Sequence, residues 1–157
     1  MTRRLLTLLS LLIWSSPLVA QPNSQDKSAQ QQRDAIVAAV RAYVDATNRG
    51  DVDAVVSTLS RHPNASSVSV GIITRGWEAL RAQSDSLAGS EGSMRVSLGS
   101  IDVTPLGAAH ALVVTGITIT VQTPQGPVQL RGAWSAVLER VAGNWKVLHD
   151  HTSLPIE

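Results

Sequence analysis

The sequence predicts an α+β fold, a cone-shaped α+β barrel in which three N-terminal helices pack on a curved antiparallel sheet. Three observations carry this expectation. Between Asp34 and Leu87 the apolar residues recur at helical spacing, interrupted by one short alternating stretch. From Met94 to Ser153 the spacing changes to period two and stays there. The chain has 157 residues, enough for one domain of ordinary size and not for two.

The elements follow in order. Arg3 and Arg4 precede a Leu-rich run from Leu5 to Trp14 that is too short to span a bilayer, and Leu18-Val19-Ala20 ends in a small residue. This is the pattern of a secretory signal peptide over residues 1–20, so the protein is expected to be exported, periplasmic or secreted, with Gln21 as its mature N-terminus. Residues 21–33 are rich in Gln and Ser and show no apolar period, which reads as a flexible polar leader. The domain then occupies residues 34–157. Ile36, Val37, Val40, Tyr43, Val44 and Thr47 share one helical face, and Gly50 ends that helix. Asp51 caps a short second helix carrying Val52, Val55, Val56 and Leu59. Ser67 to Ile73 alternates around Val68, Val70 and Ile72 as a strand, and Trp77, Leu80, Ser84 and Leu87 mark the third helix.

After the Gly89 to Gly92 break, Met94, Val96 and Leu98 share one parity while Ile101 and Val103 take the other, so a bulge belongs at Gly99-Ser100. Ala109 to Val121 and Val128 to Val141 are long strands joined by a turn at Thr123 to Pro127. Ala142-Gly143-Asn144 turns the chain into a last strand, Trp145 to Ser153, and Pro155 ends the ladder because it has no N–H to donate. A bent sheet closed by a long helix encloses an internal pocket.

Composition excludes several functions. There is no Cys, so disulfides, thiolate metal sites, lipoprotein attachment and thiol nucleophiles are out. Removing Arg3 and Arg4 from the 13 basic residues leaves 11 against 12 acidic ones. A mature chain so near neutrality, with no basic stripe, predicts neither nucleic-acid binding nor attachment to a membrane surface. No Gly-x-Ser-x-Gly elbow and no Gly-rich phosphate loop occurs, and no cofactor is predicted.

Three segments resemble one known family in the right order. They are Tyr43-Val44-Asp45-Ala46-Thr47-Asn48-Arg49-Gly50-Asp51-Val52-Asp53-Ala54-Val55, Thr74-Arg75-Gly76-Trp77-Glu78-Ala79-Leu80-Arg81, and Gly143-Asn144-Trp145-Lys146-Val147-Leu148-His149-Asp150-His151-Thr152-Ser153. Together they resemble the SnoaL-like branch of the nuclear transport factor two-like superfamily, which also holds ketosteroid isomerase and scytalone dehydratase. The resemblance implies a cone-shaped barrel, commonly dimeric through its outer sheet face, with a pocket between long helix and sheet. Such a scaffold hosts enzymes and non-catalytic modules alike, so activity has to be argued from side chains. The isomerase-type base on the strand before the third helix has no counterpart here, because Ser67 to Ile73 holds no Asp, Glu or His.

Chemistry concentrates on the last strand. Trp145, Val147, His149 and His151 point one way, and Lys146, Leu148, Asp150 and Thr152 the other. Either the two imidazoles or Asp150 and Thr152 face the pocket. Trp145 and Val147 belong in a core, and a neutral imidazole is cheaper to bury than a carboxylate, so the His face is expected inside. Two His at i and i+2 suit a metal only with a third ligand, which neither His62 nor His110 is marked out to supply, and no metal site is predicted. The expected pocket residues are Tyr43, Trp77, Trp134, His149 and His151, and the candidate acid or base is His151 or Asp150. Arg131 reads as an exposed charge. The even positions Leu112, Val114, Gly116, Thr118 and Thr120 form an outer face suited to a homodimer.

The expected function is an exported protein that binds a small, largely apolar ligand in the cone. The alternatives are a cofactor-free isomerase, cyclase or hydrolase acting through His151 or Asp150, and a non-catalytic dimeric assembly module.

Overall fold

A computed structural model describes residues 23–88 and 94–155. The expected signal peptide, its cleavage point and the Gly89 to Gly92 break lie outside the described residues. Three helices, α1 (Ser24–Asn48), α2 (Val52–Thr58) and α3 (Trp77–Ala88), pack on one face of a six-stranded sheet. Its strands are β1 (Ser66–Ser69), β2 (Ile72–Arg75), β3 (Met94–Pro105), β4 (His110–Thr123), β5 (Gly126–Val141) and β6 (Asn144–Ser153), in the order β2-β1-β6-β5-β4-β3. All neighbours are antiparallel except β1 and β6, which run parallel. The sheet is therefore mixed where a purely antiparallel one was expected. Among the described residues no helix is long and apolar enough to cross a membrane.

Helix α1 buries Ile36, Val40 and Val44 against the sheet, the stripe that the 3.6-residue period picks out. It begins twelve residues earlier than that stripe. Ser24 to Gln32, expected as a flexible leader, continues the helix into solvent. Asn23 Oδ1 accepts the Asp26 amide at 2.8 Å as an N-cap, and Gln30 Nε2 donates to Asp34 Oδ1 at 2.8 Å one turn on. The residues are polar all round yet good helix formers, so they extend a helix nucleated by the buried part. At the other end, Asn48 pairs with strand β3 as a neighbouring strand would: its Nδ2 donates to the Val96 carbonyl at 2.8 Å and its Oδ1 accepts the Val96 amide at 2.7 Å.

The expected strand from Ser67 to Ile73 is two strands joined by a two-residue turn. Ser69 pairs with Ile72, and Val70 and Gly71 between them have φ of 48° and 78°. Two positive φ values match the right-handed twist of a hairpin, but a β-branched residue is poorly suited to the first position. Val70 is also 67% exposed, so it gains little packing in return. Val70→Asn is expected to stabilise the fold by about 1 kcal/mol, read as a higher urea midpoint at unchanged slope. A lower midpoint would mean that Val70 makes a favourable contact outweighing its backbone strain.

Two irregularities bend the sheet. The β3–β4 register shifts between Leu98 and Ile101, at the expected Gly99-Ser100 bulge. A second shift, not foreseen, lies in β5–β6, where Val137 pairs with His149 but Leu138 pairs with Val147. Leu148 is thus an extra residue in β6, and the parity of that strand reverses across it. The core sits between the helices and this curved inner face, around Ile36, Val40, Val113, Trp134, Leu138 and Val147.

Candidate functional site

The reversal at Leu148 decides what faces the interior. Before it, Trp145 and Val147 are buried; after it, Asp150 is buried and His151 is exposed. A cavity of about 140 Å³ opens between the three helices and the inner face at the β1–β6 junction. Thr152 and Asp150 line it from β6, and their parallel partners Ser69 and Ser67 line it from β1. Tyr43 and Thr47 come from α1, while Val55 of α2, Leu80 of α3 and Met94 of β3 supply apolar walls.

Asp150 is 7% exposed, and Trp134 Nε1–H donates to its Oδ2 at 3.0 Å. Ser67 lies beside it as its β1 register partner. Burial pushes the Asp150 carboxyl above the ordinary carboxylate range. The bond from Trp134, the adjacent Ser67 and the neighbouring His149 and His151 pull the other way without cancelling that effect. Tyr43 stacks on Trp134 with ring centroids 6.0 Å apart and 19° between planes. Its hydroxyl is pushed upward too, first by burial and then by the charge of Asp150, so the phenol keeps its proton.

The family model of the SnoaL-like domain matches residues 36–157. The chain belongs to that family. No curated protein matches it in sequence. Among solved structures, a protein of unknown function from Mycobacterium tuberculosis superposes with a TM-score of 0.74 at 17% identity, covering 83% of this chain and 76% of that one. A candidate dehydratase of the NTF2-like family from Streptomyces avermitilis gives 0.72 at 18% identity over 82% and 99% of the two chains. The association domain of C. elegans CaMKII gives 0.69 at 17% over 81% and 98%. Likeness at such identities establishes the NTF2-like fold and leaves the chemistry to the residues.

This SnoaL-like chain brings together some of the expected site residues and separates others. Tyr43 lines the cavity, and Trp134 lies directly behind it as the donor to Asp150. Trp77 stands apart, half-buried under the Arg61 guanidinium, whose carbon is 4.8 Å from the ring centroid. His149 and His151 were expected inside and are not. His149 pairs with Val137 on the outer face, its Nδ1 2.9 Å from Ser66 Oγ, and His151 is exposed. The physical reason is the extra residue at Leu148, which keeps Trp145 and Val147 in the core yet turns Asp150 and Thr152 inward. No cluster of three or more His, Asp or Glu able to hold a metal ion occurs among the described residues. Arg131 is exposed on the outer face.

Sequence reasoning missed Ser67, Ser69 and Thr47. The two serines alternate with Val68 and Val70, and the valines invited a core assignment for the wrong parity. Their signal is visible in retrospect: two hydroxyls at i and i+2 beside a Gly turn are unusual for a buried strand.

Proposed function

We propose that this SnoaL-like protein is exported and binds a small molecule in its cone, with Asp150 as the specific polar contact. The observation that carries this reading is a buried carboxylate held from behind by Trp134 and facing a cavity of about 140 Å³. Fixed acceptors in a largely apolar recess are how small-molecule sites select orientation. The ligand is then apolar over most of its surface, against Val52, Val55, Leu80 and Met94, and polar at the end that meets Asp150.

A second reading is a cofactor-free acid–base enzyme of the isomerase, cyclase or dehydratase type acting through Asp150. It is favoured by the burial that raises the Asp150 carboxyl toward the pH at which a proton can be given and taken back. His151 has no part in it, since its side chain is exposed on the opposite face.

Dimerisation is part of the proposal. Among the described residues no helix packs on the outer face of β4, where Val114 is 43% exposed beside Leu112 and Thr118. Native mass spectrometry of protein recovered from its exported fraction tests the reading in one measurement. The expected result is a mass beginning at Gln21, a dimer at micromolar concentration, and a small additional mass lost on activation. A monomer beginning at Met1 that carries nothing and retains no added small molecule would overturn it.

A further inference from the structure

Among the described residues the cavity lining carries the Asp150 carboxyl group and no Lys, Arg or His to pair with it. The nearby surface cations are engaged elsewhere: Arg49 lies 4.0 Å from Asp51 and Arg81 lies 3.3 Å from Asp53, both pairs exposed. His149 and His151 project from the other face of β6.

Two of the lining hydroxyls face the cavity as acceptors. Thr47 Oγ1 donates its proton to the Tyr43 carbonyl at 2.9 Å, and Ser84 Oγ donates to the Leu80 carbonyl at 2.9 Å. Both residues line the cavity, so each offers it only lone pairs. Tyr43, Ser67, Ser69, Gln83 and Thr152 also line it and keep donors of their own. The Thr47 and Ser84 oxygens and the Asp150 carboxylate can therefore all accept from a donor that enters.

We propose that the ligand is a small organic cation, with a primary or secondary ammonium group seated on Asp150 and the lining hydroxyl oxygens. This rests on the reading of the cone as a ligand site and names the class it takes. An ammonium group supplies two or three N–H donors together with the countercharge that a buried carboxylate otherwise lacks. A carboxylate or phosphate would meet Asp150 with no cation to offset the repulsion. A neutral alcohol would satisfy one acceptor and leave the charge unpaired. The hydrocarbon part would lie against Val52, Val55, Leu80 and Met94, in a volume that suits a ring the size of benzene.

The test compares matched compounds on the intact protein. Benzylamine, cyclohexylamine and n-butylamine are each titrated against the alcohol and the carboxylate of the same skeleton, by calorimetry and ligand-observed NMR at pH 7. At least one amine is expected to bind ten-fold or more tightly than its alcohol, with no carboxylate binding. In Asp150→Asn, which turns an acceptor into a donor, amine affinity should fall to the alcohol's level while alcohol binding persists. Alcohols binding as tightly as amines, or any carboxylate binding, would overturn the proposal and leave the cone a ligand site. Failure of all nine compounds to bind would remove both. The wild-type comparison decides the matter even if the variant does not fold.

Discussion

Asp150→Asn is expected to make the protein harder to unfold at pH 7 while weakening the proposed ligand binding. Burial raises the folded-state carboxyl of Asp150 above its unfolded value of 3.8. Between those two values the folded state holds a proton that the unfolded chain has released, so folding is favoured at the acid end. The contribution of this group is fully present below about pH 4 and is lost as pH rises through the folded titration. Asn has no charge to lose, so the variant's advantage is smallest in acid and reaches its full size above that titration. Geometry permits the change, because the Asn carbonyl oxygen still accepts from Trp134 Nε1. Loss of a charge-assisted contact of about 2–3 kcal/mol reduces ligand affinity roughly 30- to 150-fold. Urea unfolding of both proteins from pH 4 to pH 8 checks the sign. A variant less stable than wild type at every pH would show that the hydrogen bonding of the carboxylate outweighs the cost of burying its charge.

That trade between stability and function rests on a feature hidden from sequence reasoning, namely which parity of β6 faces inward. The alternation Trp145, Val147, His149, His151 is unbroken in sequence, and no Gly or Pro marks the break. Leu148 is accommodated as a bulge because Val147 is shared with another segment: it bridges Leu59, and its carbonyl accepts the Ser60 amide at 2.8 Å. Only beyond that contact does β6 pair with β1. A long-range contact of this kind leaves no local signature. The Gly99-Ser100 bulge was legible because a parity change and a Gly coincide there. Helix α1 and the β3–β5 meander were legible for a related reason, since each repeats one period over many residues. The Val70-Gly71 turn was not, because a valine occupies the position where a hairpin turn normally shows Asn or Gly. The fold could therefore be read from periodicity, while Tyr43 and Asp150 could be named only as candidates among side chains whose direction depends on one inserted residue.

Gly132→Ala is expected to cost about 2–3 kcal/mol, among the largest effects of any single methyl added to this chain. Gly132 lies on the cavity-facing parity of β5, two residues before Trp134, and the end of β6 passes across it. A Cβ there would overlap the Ser153 carbonyl oxygen and lie 2.8 Å from Leu154 Cδ2. The first obstacle is backbone, so rotating a side chain cannot relieve it. Strand β6 must lift, which strains the Ala133–Ser153 pairing and withdraws Leu154 from its packing against the core. Because Thr152 and Asp150 lie on the same strand, the lift also disturbs the cavity. Melting should fall by roughly 10 °C, and ligand affinity should weaken although no residue touching the ligand has changed. Gly116→Ala is the matched control: its added Cβ would sit 4.0 Å from the Gly132 carbonyl oxygen, an ordinary contact, and should change stability by no more than about 0.5 kcal/mol. Equal melting temperatures for the two variants would show that the end of β6 does not cross Gly132 closely in solution.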